Sequence, residues 1–310
     1  MYTVDVLAPV LASASIPLAT NWADHIKVRM QSAAVSESAR PYLGGLLHTA
    51  RRLLTEEGLW SLYTTGMSAS IMREASSQAC RLGMYPAARD IVGRLYGSGK
   101  GANSGIAAKL SAGIGLGALS AVVASPFDLV RIRLQAEGGR VAADGKLIQT
   151  GLLEGLAPRL HGTAQTFATI VRENGLGALW RGLGVNVLRG ALMTAATVPV
   201  YDHSKHVCLT SGVCEDGPSL HLGAGLFTGV VAVTISQPAD VLRTRMMAST
   251  ASKPGLALLA HTALSVARGG PLAFLRGWWG SYLRLGPVMV FYPILMEQIR
   301  SRVFGLGYFR

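Results

Sequence analysis

A pattern that returns three times along this chain constrains its fold more than any other feature, because a repeat must be explained before its parts. Uncharged runs of 18 residues at 6–23, 110–127 and 222–239 each end in the same punctuation. The first run leads into Trp22, Asp24, Lys27, Arg29 and Gln31. The second leads into Pro126, Asp128, Arg131, Arg133 and Gln135, and the third into Pro238, Asp240, Arg243, Arg245 and Met247. The three aspartates lie 104 and 112 positions apart. A second element follows each time in the same order. It reads Glu57-Gly58-Leu59-Trp60-Ser61-Leu62-Tyr63, then Asn174-Gly175 through Trp180-Arg181-Gly182, then Gly269-Gly270 through Phe274-Leu275-Arg276-Gly277.

Runs of this length approach the roughly 20 apolar residues that span a bilayer core. Half the residues are hydrophobic and only 15% are charged, where a soluble domain carries about a quarter. Each repeat therefore reads as a span, a short amphipathic segment and a second span. The odd spans cover about 4–36, 103–136 and 220–249, and the amphipathic segments 43–56, 162–173 and 255–267. The even spans cover about 66–96, 182–209 and 280–304, and the stretch 137–158, rich in glycine and charge, reads as a loop. The expected fold is an all-α membrane protein of six transmembrane helices in three pseudo-symmetric repeats, 1–98, 99–212 and 213–310.

The net charge is +12 and the isoelectric point about 10.1. Such a balance suits nucleic acid, an anionic membrane surface or an anionic substrate. No RNA-binding signature, zinc finger or basic helix with interleaved aromatics is present, so nucleic acid is not expected as a partner. The arginines sit inside apolar segments instead, which favours membrane and anion. Cys80, Cys208 and Cys214 form no CxxC pair and no metal-spaced set with the seven histidines. Walker A loop, nucleophile elbow and dinucleotide fingerprint are all missing, so neither an enzyme nor a cofactor is expected. The opening MYTVDVLAPV has no basic or Arg/Ser-rich stretch, so any targeting address is expected within the mature chain.

Proline inside an apolar helix removes a backbone hydrogen bond and kinks it. Kinks at equivalent depth would draw the three odd helices together at one end. An Asp and a base three residues later share a helix face, and charges in a membrane are costly unless paired or wet. A three-fold ring satisfies all six charges by pairing Asp24 with Arg131, Asp128 with Arg243, and Asp240 with Lys27.

These residues resemble the mitochondrial carrier family over essentially the whole chain. The family signature is Pro-x-Asp/Glu-x-x-Lys/Arg followed by an acid-Gly element that ends in aromatic-basic-Gly, three times over. Repeats two and three match the first part fully. Repeat one has Trp22 where the proline belongs and Pro17 five residues upstream. Its second element has Thr64 and Thr65 in place of basic-Gly, and repeat three has Leu275 where an aromatic is usual. The resemblance implies six tilted helices around a central cavity in the mitochondrial inner membrane and alternating access. The aspartate ring would close the matrix side, with Gln31 and Gln135 as braces beneath it, a role Met247 cannot take. A second ring, aromatic-acid-x-x-base, would close the cytosolic side. Tyr201, Asp202 and Lys205 fit it completely, Glu297 and Arg300 keep both charges, and Tyr85 and Arg89 have lost the acid to Pro86. The expected pairs are Arg89 with Asp202 and Lys205 with Glu297, leaving Arg300 without one. The resemblance also implies a monomer in contact with membrane lipid, cardiolipin at the short matrix helices included.

Arg73, Arg189 and Arg284 each lie 13 residues before Pro86, Asp202 and Glu297, about 20 Å of helix. One arginine per repeat thus stands near mid-membrane at one depth. Guanidinium binds carboxylate bidentately, so three at one level suit an anion of several charges. These positions resemble the family's substrate contact points, and arginine at all three is typical of its carboxylate carriers and uncoupling proteins. Arg81, Ser77, Thr194 and Thr197 are further candidates. The expected function is exchange of di- or tricarboxylates, with an uncoupling-type leak of protons or fatty-acid anions, or carriage of another inorganic or organic anion, as the alternative. On a purely structural reading the arginines would pair with nearby acids such as Glu74 and only hold helices together.

Overall fold

The computed structural model describes residues 2–32, 44–95, 106–139, 147–148, 162–210, 218–249 and 255–285. The odd spans form α1 (Tyr2–Ser32), α5 (Ile106–Glu137) and α8 (Pro218–Ala248). Helices of 31 and 32 residues rise about 45 Å or more, enough to cross a hydrocarbon core of about 30 Å at a tilt. The even spans form α4 (Met67–Leu95) and α7 (Leu183–Thr210), and the sixth begins as α10 over 278–285. The rest of that last span lies outside the described residues. Between the members of each pair lie α2 (Leu46–Glu56), α6 (Thr163–Asn174) and α9 (Gly255–Ala267). One tight turn then leads into the even helix: α3 (Gly58–Thr64) in the first repeat, and 3-10 turns at Leu176–Trp180 and Pro271–Leu275 in the others.

Two described stretches, Gly115–Glu137 in α5 and Gly223–Ala248 in α8, are long and apolar enough to cross a membrane on composition alone. The odd helices contact one another, α1 with α5, α5 with α8 and α8 with α1. Their shared end holds the densest core. Ile26, Val28, Leu129, Val130 and Ile132 are buried there together with Leu53 of α2 and Ile170 of α6. The opposite faces of these short helices and turns carry Leu47, Trp60 and Leu256, all more than 80% exposed. Apolar surface on that scale turned away from the core suits lipid rather than water.

Tryptophans at the start of the even half of repeats two and three bond beside the proline kinks of the odd helices. Pro126 interrupts α5, and the carbonyl of Val122, four residues earlier, accepts from the Trp180 indole at 3.0 Å. Pro238 interrupts α8, and there the Trp278 indole donates to the Thr234 hydroxyl at 3.0 Å. The Val122 carbonyl is thereby satisfied, as a freed backbone group must be inside a membrane. In α1 no proline stands at the equivalent place, and Trp22 donates its indole N–H to the Ala19 carbonyl at 2.8 Å.

The turns also correct one sequence alignment. Gly58, Gly175 and Gly270 enter them with φ of +85°, +77° and +84°, and Gly66, Gly182 and Gly277 leave them with +70°, +80° and +76°. The first repeat holds one residue more between its two glycines, and its turn is α-helical instead of 3-10. Gly66 therefore takes the glycine position of the signature, Thr65 the basic one and Thr64 the aromatic one, with Tyr63 one residue upstream. The leaving glycines pack closely: Gly66 against Gln135, Gly182 against Met247 and Gly277 against Gln31.

Alanine at Gly277 must hold φ near +76° and put its Cβ 3.3 Å from the Gln31 side chain. The left-handed backbone alone costs about 1–2 kcal/mol, so Gly277→Ala is expected to lower the unfolding temperature in detergent. Gly223→Ala, which meets open space in α8, is expected to leave it unchanged or slightly raised.

Candidate functional site

The three aspartates sit at the contact of the odd helices and are closed in on every side. Asp24, Asp128 and Asp240, with Lys27, Arg131 and Arg243, are all 8% exposed or less. Ions so buried stay charged only with close partners. Arg131 Nη1 lies 2.8 Å from Asp24 Oδ2, Lys27 Nζ lies 2.5 Å from Asp240 Oδ2, and Arg243 Nη2 bonds Asp128 Oδ2. Every pair crosses from one repeat to another, and together they close a ring. Weaker contacts three residues along the same helix join Arg131 to Asp128 and Arg243 to Asp240.

A second tier of charge stands directly on this ring. Arg73 Nε lies 3.5 Å from Asp128 Oδ1, Arg189 Nε lies 3.4 Å from Asp240 Oδ1, and Arg284 Nη1 lies 3.2 Å from Asp24 Oδ1. The arrangement is again cyclic, each arginine reaching the aspartate of a different repeat. Each aspartate thus offers one oxygen to a ring base and the other to an arginine from an even helix. Glu74 joins this tier: its Oε1 accepts from Arg73 Nη2 and from Arg284 Nη2 at 3.1 Å. A cavity of about 250 Å³ opens beside these groups, lined by Lys27, Glu74, Arg189, Asp240 and Arg284. The expected depth-matched arginines are therefore together, and they are paired with acids rather than bare.

A third tier lies on the other side of the ring. Arg29 donates to the Gly138 carbonyl beyond the end of α5. Arg133 donates to the Met247 and Ser249 carbonyls at the end of α8, and Arg245 to the Gln31 carbonyl at the end of α1, at 3.0 Å. The last carbonyls of a helix have no partner within it, and cations there also offset the helix dipole. The second base of each Lys/Arg-x-Arg therefore caps the odd helix of another repeat. Glu57 supports Arg29 at 2.8 Å; burial pushes its carboxyl above the usual glutamate range, while the Arg29 guanidinium pulls it back.

Gln31 and Gln135 direct their amide nitrogens to loop carbonyls, Arg276 at 3.3 Å and Thr65 at 3.4 Å. Their tie is thus from the end of an odd helix to the turn before an even one. The residue before each signature position was not singled out from sequence and makes similar ties. Asn21 donates to the Tyr63 and Thr65 carbonyls, Ser125 to Leu179 at 3.5 Å, and Gln237 to Arg276 at 2.7 Å. All three are polar at one repeat position, and that was the available signal.

Other expected site residues fall elsewhere. Arg81 is exposed and donates from Nε to Ser120 of α5 at 3.0 Å, so it does not join the other three arginines. Ser77 is half-buried on α4. Tyr85, Arg89, Thr194, Thr197, Tyr201, Asp202 and Lys205 stand on α4 and α7, but their side chains lie outside the described residues, as do Glu297 and Arg300 entirely. Among the described residues no group of histidine, cysteine and acidic side chains could hold a metal.

Comparison with known proteins places this geometry. A family model described as mitochondrial carrier protein matches residues 2–95, 102–212 and 215–306. The chain is 34% identical over 284 residues to mitochondrial uncoupling protein 1 of Arabidopsis thaliana, covering 90% of this chain and 87% of that protein. It is 32% identical over 256 residues to dicarboxylate carrier UCP2 of Danio rerio, covering 83% and 76%. It is 27% identical over 288 residues to mitochondrial substrate carrier family protein ucpB of Dictyostelium discoideum, covering 91% and 90%. The chain belongs to the mitochondrial carrier family, and it is a transporter rather than an enzyme.

Reversing one ring charge leaves like charges buried together. Asp128→Arg alone and Arg243→Asp alone are each expected to abolish transport in reconstituted liposomes. The double swap is expected to recover part of it, limited because Arg73 also leans on Asp128. A double variant no better than either single one overturns the pairing as a functional unit.

Proposed function

We propose that this carrier exchanges small di- or tricarboxylate anions across the mitochondrial inner membrane by alternating access. Arg73, Arg189 and Arg284 carry the reading: one per repeat, each on a ring aspartate, with Arg189 and Arg284 lining a cavity of small-metabolite size. A volume of about 250 Å³ is below the roughly 300–1,000 Å³ of drug-sized sites, which favours a small acid over a nucleotide. The aspartate ring is the matrix gate in this reading, with Gln31 and Gln135 tying its helix ends. Tyr85, Arg89, Tyr201, Asp202, Lys205, Glu297 and Arg300 form the cytosolic gate. Six spans put both termini on the intermembrane-space side, and lipid covers the exposed faces of the short matrix helices.

The link between site and gate follows from the shared aspartates. An anion that engages the three arginines draws their positive charge toward itself and weakens their hold on Asp24, Asp128 and Asp240. Binding energy is thereby spent on loosening the closed ring, which is how a ligand shifts a two-state equilibrium. The second reading, an uncoupling-type leak, is favoured by the 34% identity to an uncoupling protein, and the same arginines would serve a fatty-acid anion.

Removing one hydrogen-bonded charge from such a site costs about 2–5 kcal/mol, or roughly 30-fold to several thousand-fold in affinity. Liposomes loaded with carboxylates, phosphate, nucleotides or amino acids are expected to exchange the carboxylates. Arg189→Ala and Arg284→Ala are expected to nearly eliminate that exchange, and Arg189→Lys to restore little because lysine lacks the planar fork. Uptake affinity within two-fold of the parent for either alanine variant would make these arginines structural. Proton flux activated by fatty acid without carboxylate exchange would decide for the leak.

A further inference from the structure

The even-helix arginines repeat three times, but the residue after them does not: Glu74 follows Arg73, Gly190 follows Arg189 and Leu285 follows Arg284. The three-fold ring has no need of Glu74, because every ring aspartate already holds a base and an arginine. Yet the Glu74 side chain is only 15% exposed. It accepts from two guanidiniums on different helices and lines the same cavity as Arg189 and Arg284. A carboxylate held between two converging guanidiniums is the geometry expected of a bound carboxylate ligand. Here the protein supplies that carboxylate itself.

Counting the described charges of the two tiers gives six bases against four acids. Without Glu74 the excess would be three positive charges; with it the excess is two. We propose that Glu74 is the charge selector of this site, matching it to dianionic substrates and disfavouring trianionic ones. An entering dianion meets Arg189, 25% exposed on its side chain, and competes with Glu74 for Arg284, 24% exposed. A trianion brings one negative charge more than the arginines can balance while Glu74 stays among them. This rests on the carboxylate reading above for its natural substrates, but the selection itself is by charge.

The test compares Glu74→Gln, Glu74→Ala and Glu74→Asp with the parent in liposomes at a pH where malate and citrate are fully ionised. In Glu74→Gln and Glu74→Ala the ratio of citrate KM to malate KM is expected to fall about ten-fold or more, since one like charge near the ligand is gone. Glu74→Asp, which keeps the charge in the cavity, is expected to keep the parent ratio. A ratio within two-fold of the parent in both neutral variants, or equal weakening of both anions, overturns the proposal and leaves Glu74 as a helix tie. If even the parent moves no carboxylate, thermal stabilisation by sulfate against trimetaphosphate reads the same preference. A shift toward trimetaphosphate in Glu74→Gln then keeps the selector while the carboxylate reading falls; no shift sinks both.

Discussion

Six ionised side chains closed inside the contact of three apolar helices are the constraint on which the rest depends. A buried ion costs several kcal/mol unless a partner compensates it closely. The closest base to each of Asp24, Asp128 and Asp240 belongs to another repeat. The odd helices can therefore meet only in one register, each acid level with a neighbour's base. The spacing of three between acid and base puts both on the inner face of one helix, and the three-fold repeat lets every helix give and receive once. No single repeat could bury these charges alone, which is a physical reason for the chain to carry three.

The other tiers depend on that register. The capping arginines reach the ends of neighbouring odd helices only because the ring has fixed how far one helix slides past the next. Arg29, Arg133 and Arg245 then satisfy carbonyls that the helices leave open. From the even helices, Arg73, Arg189 and Arg284 reach the aspartate oxygens opposite those that hold the closest ring bases. A carboxylate accepts through two oxygens, and here one faces the ring and the other an even-helix arginine. The same acids thus join the ring to the tier of arginines above it.

Much of this was legible from spacing, and the parts that were not share a cause. The ring pairs follow from one short motif repeated at fixed intervals, and the depth of the three arginines follows from helical rise. What spacing could not reveal is which oxygen a side chain takes when several bases compete for it, so the arginines read as facing a cavity when they also brace the ring. Arg81 lies eight residues after Arg73 on the same helix, yet its contact is Ser120 of α5, because neighbouring helices decide where a long side chain lands. The turn after α2 was misaligned by one residue because threonines at 64 and 65 hid the glycine at 66. Only its positive φ identifies Gly66 as the partner of Gly182 and Gly277. Asn21, Ser125 and Gln237 escaped notice because three different polar residues fill one role.

The departures from three-fold symmetry divide into two kinds. Some are mechanical substitutions that keep the local bond: Trp22 for proline, with its indole on the Ala19 carbonyl, or Met247 packing on Gly182 where glutamines pack on Gly66 and Gly277. Each leaves the number of buried charges unchanged. Glu74 is of the other kind, since it adds a charge to one repeat and answers to arginines from two. A symmetric scaffold presents equal positive charge from three sides, whereas a small asymmetric acid presents its carboxylates to only some of them. Symmetry suffices to build the ring, whereas Glu74 makes one side of the arginine tier differ in charge from the others.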